Sequence, residues 1–334
     1  MQKLEMQTNP GATGITKGKY RPEIDGLRAF AVVAVIINHF NKDLLPSGYL
    51  GVDIFFVISG YVITSSLADR QSKHFVDFLT GFYARRMKRL LPALVVFVLI
   101  TSLLITLFNP DPEATLTLGG RVLIGISNIT LFRASTNYFT ETSELNPFTH
   151  TWSLGVEEQF YLLFPVLIWF SGFGQQRPRG SRNLLLWVGL STLISLLYFI
   201  HLYPINQPAA YFLMPARFWE MATGCIIFLA GQNQTKLDQA LRQIPPLPIM
   251  ATMVAAMGMP VTAAIPATIA IVALSAVLIS CLRQGPMPII SLRLNRLSAS
   301  ASFHIRYTYG TGPCFASVAG PSVFIGGPCH FRSP

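Results

Sequence analysis

Charge is scarce in this sequence. Acidic and basic residues make up only 12% of its 334 positions, while 51% are hydrophobic and the mean hydropathy is positive. That balance excludes an ordinary soluble domain, in which about a quarter of residues are charged. Cysteine is scarce too: there are four, with no CxxC pair and no Cys/His spacing of the kind that holds zinc. A disulfide framework and a metal centre are therefore not expected. Cys225 and Cys281 lie in apolar runs and read as small buried hydrophobes. The first 26 residues lack the apolar core of a cleavable signal peptide, so the first apolar segment is expected to serve as its own insertion signal. Alternating ten-residue segments, the mark of a membrane barrel, are missing as well.

What the chain does have is a series of apolar runs of about 18–20 residues separated by basic loops, the pattern of an all-α, polytopic transmembrane helical bundle. The runs predict eight spans, over 27–41, 49–67, 91–108, 151–171, 184–202, 211–231, 247–264 and 267–282. Pro260 and Pro266 interrupt the last two. The stretch 119–132 is apolar but short and carries Arg121 and Asn128, so it is expected to be interfacial or re-entrant. The formal charge of +10 does not argue for nucleic acid, because the cations stand in loops between apolar runs. With the N-terminus inside, the inner segments carry nineteen Lys and Arg and the outer ones three. That asymmetry predicts a cytoplasmic N-terminus.

Against this background an ionisable group inside an apolar run is a functional candidate, since burying a charge at bilayer depth costs about 2.5–3.5 kcal/mol. Arg21–Tyr61 holds two: His39 closes the first run and Asp53 opens the second. Imidazole can take and return a proton near neutral pH. Asp53 could stabilise a protonated His39 or simply cap the second helix. Arg28 stands eleven positions before His39, about 16 Å along a helix axis. It would mark the membrane edge, with His39 about halfway in.

Three further constellations follow. The loop FYARRMKRLLP puts Arg86 and Arg89 three positions apart, on one face if helical, where two guanidinium forks suit phosphate oxygens or lipid headgroups. In HTWSLGVEEQFYLLFPVL, Glu157 and Tyr161 stand at i and i+4. His150, Ser153 and Glu157 would make a triad only on paper, because adjacent turns seldom give a nucleophile and base converging geometry. In MPARFWEMATG, Arg217 and Glu220 are spaced to neutralise each other or line a pocket, and Ala222 and Gly224 would permit close helix packing.

These segments, taken together and in this order over about residues 20–231, resemble the acyltransferase-3 family of bacterial inner-membrane acyltransferases that modify surface polysaccharides. The resemblance implies transfer of an acyl group, usually acetyl, from acyl-CoA to a hydroxyl of a glycan or lipid-linked saccharide. Membrane lipids surround the protein, and neither metal nor nucleic acid takes part. His39 would move the proton, with Asp53 and Glu157 as supporting catalytic candidates. Arg28, Arg86 and Arg89 would engage the donor's phosphates. A proton-coupled transporter is the competing class, with His39 and Asp53 as its relay; a non-catalytic remnant is the third.

The organisation expected is a disordered cytoplasmic stretch over 1–20, the transmembrane domain over 21–298 and an aberrant tail over 299–334. From about Ala301 the apolar rhythm gives way to Gly, Pro and Ser. Read one base back, the codons for Ser302 to Cys314 can spell Phe-Ile-Ser-Tyr-Ser-Leu-Tyr-Leu-Trp-His-Trp-Pro-Val. The family continues through such a segment into two further spans, ten in all. A frameshifted chain lacking those spans, with impaired folding or activity, is therefore the expectation.

Overall fold

The computed structural model describes residues 21–68, 70, 72, 74–136, 146–232, 241 and 244–282; the tail expected to be aberrant lies outside them. The chain begins with α1 (Pro22–Phe40), where Pro22 sits in the first turn with Glu23 and Asp25. A fixed φ and negative charge both suit a helix N-terminus. A short 3-10 turn over Gly48–Leu50 leads into α2 (Gly51–Ala68). Next come α3 (Phe75–Phe108), α4 (Glu113–Leu123), α5 (Ser127–Thr136) and α6 (Trp152–Phe170). The remainder is α7 (Gly180–Leu202), α8 (Gln207–Phe212), α9 (Met214–Gln232), α10 (Pro246–Met257) and α11 (Ala264–Cys281). The described residues are helical, with no strand among them, as the all-α reading requires.

Among the described residues five stretches are long and apolar enough to cross a membrane: Gly48–Ala68, Phe75–Phe108, Gly180–Leu202, Gln207–Gln232 and Val261–Cys281. The count of eight read from the sequence is not confirmed by these stretches. α1 carries Glu23, Asp25 and Arg28, α6 carries Glu157 and Glu158, and α10 has only twelve residues. A second difference concerns FYARRMKRLLP, expected as a loop. It lies inside α3, which runs unbroken for 34 residues through Pro92, about 51 Å at 1.5 Å per residue. Arg, Lys, Met, Leu and Ala are all strong helix formers, so charge here marks a polar band on a helix rather than its end. The stretch 119–132 is not a span. It is split between α4 and α5 at Gly125, whose φ of +72° suits glycine.

α2 and α9 form the core. Both are mostly buried, and they cross at two glycines: a Cβ at Gly60 would strike the Met221 carbonyl, and one at Gly224 would strike that of Val57. Small residues let backbones meet this closely, which is how helices associate where lipid offers no hydrophobic drive. α1, α6 and α11 pack on α2, and α7 packs on α9. By contrast α3 and α7 are mostly exposed, through Val96, Ile100, Leu103, Leu190 and Leu197 among others. An apolar exposed face is what contact with lipid demands.

Candidate active site

α1 delivers His39 in its last turn, at the helix end rather than midway along it. The ring is exposed, and its Nδ1 lies 2.8 Å from the carbonyl oxygen of Val35, one turn back. A carbonyl only accepts, so Nδ1 carries the hydrogen and Nε2 keeps its lone pair. That leaves a base with a fixed tautomer facing outward from the helix end. The ring of His150, on the 3-10 turn Thr149–Thr151 ahead of α6, meets it edge to face, with centroids 4.8 Å apart and planes at 73°. Burial draws the His150 pKa below its ordinary value, and the charge of His39 draws it further the same way.

A second cluster ties α3 to α6. Tyr161 donates its hydroxyl to Glu157 Oε2 at 2.7 Å, the i to i+4 pairing foreseen in the sequence. Arg86 lies across the Tyr161 ring, its guanidinium carbon 3.3 Å from the centroid. Its Nε is 3.4 Å from Glu158 Oε1 and its Nη2 is 3.8 Å from Glu157 Oε2. Tyr83 completes the seam by donating to the Leu162 carbonyl at 3.1 Å. One guanidinium thus serves two carboxylates and an aromatic face.

The third cluster lies in the core. Arg217 Nη1 donates to Asp53 Oδ1 at 3.0 Å and to Glu220 Oε1 at 2.7 Å, and the three side chains are 2%, 2% and 0% exposed. Tyr211, Phe199 and Trp152 surround the guanidinium at 5.1, 5.5 and 5.9 Å. The second oxygens, Asp53 Oδ2 and Glu220 Oε2, are buried with no hydrogen-bond partner among the described residues. Asp53 therefore joins α2 to α9 instead of capping a helix.

The residues singled out in the sequence fall into separate places. Arg28 pairs with Asp25 at 3.0 Å near the start of α1, far from His39 at its end. Arg86 is turned inward to α6, whereas Arg89 is exposed, so the two do not share a partner. Among the described residues no hydrogen bond joins Ser153 to His150 or Glu157, and the paper triad does not form. The ring contact of His150 was missed because it joins elements far apart in the chain. The Asp53–Arg217 link had a signal, two opposite charges in separate apolar runs, that pairing arguments could have used.

The acyltransferase domain model matches residues 21–305. The chain belongs to the acyltransferase-3 family. It is 37% identical over 210 residues to O-acetyltransferase OatA of Staphylococcus aureus strain NCTC 8325 / PS 47, covering 63% of this chain and 34% of that protein. A second Staphylococcus aureus protein, from strain MSSA476 and described provisionally as an O-acetyltransferase, is 41% identical over 164 residues, 49% of this chain and 27% of its own. The chain thus spans about a third of the length of the curated relatives it matches. No solved structure matches it. Family and apolar helices together make this a multi-pass membrane protein.

Proposed function

We propose that this chain carries the membrane part of an O-acyltransferase that moves an acyl group, acetyl by analogy with its relatives, from acyl-CoA to a hydroxyl of a surface polysaccharide. The observation that supports this most is the contact of His39 Nδ1 with the Val35 carbonyl at the helix end, which assigns the hydrogen to Nδ1 and the lone pair to Nε2. A hydroxyl is a poor nucleophile at neutral pH, and such a base activates it. His39 Nε2 takes the hydroxyl proton while the oxygen attacks the thioester carbonyl. The C–S bond then breaks, and the departing thiolate recovers the proton from His39.

The donor's phosphates call for cations at the inner surface. Arg85, Lys88 and Arg89 are the exposed ones on α3, so they suit this role better than Arg86, which is already occupied by Glu157, Glu158 and Tyr161. In this reading Arg28 exchanges its Asp25 contact for the donor at α1, Glu157 holds Arg86, and Asp53 holds Arg217. The protein sits in a bacterial inner membrane with its N-terminus in the cytoplasm, where acyl-CoA is supplied.

The test uses sealed vesicles holding the full chain, radiolabelled acetyl-CoA and a polysaccharide acceptor. Label moving into an alkali-labile ester on the glycan is the expected result. Hydrolysis of acetyl-CoA without any ester, or no use of it at all, contradicts the reading.

A further inference from the structure

Three features lie outside the proposed base: the buried Asp53–Arg217–Glu220 cluster, the Arg86 seam and the ring of His150. The last goes furthest, because it touches the group on which the chemistry depends. His150 is held on a one-turn 3-10 helix by the Thr151 amide bonding to the Phe148 carbonyl at 3.0 Å, with the Thr151 hydroxyl adding a second bond at 2.6 Å to the same oxygen. Phe148 itself is fully buried, which pins the turn. The ring therefore meets His39 as part of a fixed element.

We propose that His150 is a positioning partner of His39, the neutral ring that stabilises the His39 imidazolium formed when the acceptor hydroxyl gives up its proton. The inference rests on the reading of His39 as the base. The rings meet edge to face at 4.8 Å, within the range over which a cation and a π-system attract. The arrangement works only if His150 does not itself take the proton, since two imidazoliums this close repel each other. Burial of His150 supplies that condition, and the field of His39 adds to it.

Among the described residues no carboxylate pairs with His39 or His150. On the α1 side the titratable neighbours in the chain are Lys42 and Asp43, both exposed. On the α6 side the nearest is Glu157, about two turns further on and taken by Tyr161 and Arg86. Among the described residues His39 is the charged group that acts on His150.

The experiment labels histidine with 15N in the full chain held in lipid nanodiscs, and follows the His39 ring through a pH titration. The samples are wild type, His150→Ala, which removes the ring, and His150→Phe, which keeps a π-face that cannot titrate. In wild type, His39 protonates first and His150 stays neutral through that step. Removing the ring lowers the His39 midpoint by about half a unit to one unit. The same variant loses about 3- to 10-fold in kcat for acyl transfer, with KM for the donor nearly unchanged. Phenylalanine restores the midpoint and most of the rate.

A His39 midpoint that is unmoved or raised by His150→Ala overturns the proposal, as does a reversed order of protonation or a phenylalanine variant no better than alanine. Should the alanine variant fail to fold, the order of protonation in wild type and the midpoint in His150→Phe still decide. Transfer that survives His39→Ala would instead defeat the reading of His39 as the base. The spectra report the ring-to-ring coupling independently of that outcome.

Discussion

A guanidinium bound to two carboxylates in a dry core is the most demanding arrangement in the molecule. Arg217 satisfies one oxygen each of Asp53 and Glu220 and leaves the other two without described partners. Removing one member of a buried charged set leaves the rest uncompensated, at a cost of about 3–5 kcal/mol. Arg217→Met is therefore expected to lower the folded yield and the unfolding midpoint in detergent, read by size-exclusion chromatography and a thermal scan. Asp53→Asn, which keeps the shape and leaves one acid on Arg217, should cost much less; equal losses would mean that charge is not what the cluster is for. Arg86 makes a different prediction. Its seam is partly exposed and salt can reach it, so Arg86→Gln should weaken α3–α6 packing only mildly, by about 1 kcal/mol or less. A drop in donor affinity as large as that from Arg89→Gln would return Arg86 to the phosphate site.

Elements show where the sequence could be read and where it could not. α2, α7, α9 and α11 were legible because each is an apolar run with polar ends. The lower half of α3 was not, because Arg85, Arg86, Lys88 and Arg89 look like a loop when only apolarity is scored. Their helical role depends on α6 bringing Glu157 and Glu158 alongside, a contact across 72 positions for the Arg86–Glu158 pair. The same holds for His39 with His150 and for Asp53 with Arg217, 164 positions apart. Identity of a reactive residue can be read locally; its partner is set by tertiary packing. The α2–α9 crossing can be checked directly. Gly60→Leu or Gly224→Leu forces a side chain into a backbone carbonyl, so both should abolish the folded monomer. Gly120→Leu, where nothing lies within 4 Å, should leave it intact by the same chromatographic assay.

For the molecule as a whole, orientation decides whether the proposed chemistry has its substrates on the right sides. Lys and Arg fall so unevenly between alternate loops that a single topology is expected. Cysteines placed at Lys42 and Asn206 should react with an impermeant maleimide on intact spheroplasts, and one at Arg179 only after lysis. Both wild-type cysteines among the described residues, Cys225 and Cys281, are buried and should add little background. In that topology the His39 end of α1 and the His150 turn lie at the outer side, and the exposed α3 cations lie toward the inner side. The donor's pantetheine arm must then carry the thioester part-way through the bundle to reach His39. The measurement that tests the account most directly is acyl transfer from acetyl-CoA by His39→Ala in reconstituted vesicles, with and without added imidazole. The account predicts a rate lower by at least about 100-fold, the contribution typical of a positioned base, and partial recovery with imidazole. Transfer at the wild-type rate in that variant would contradict it.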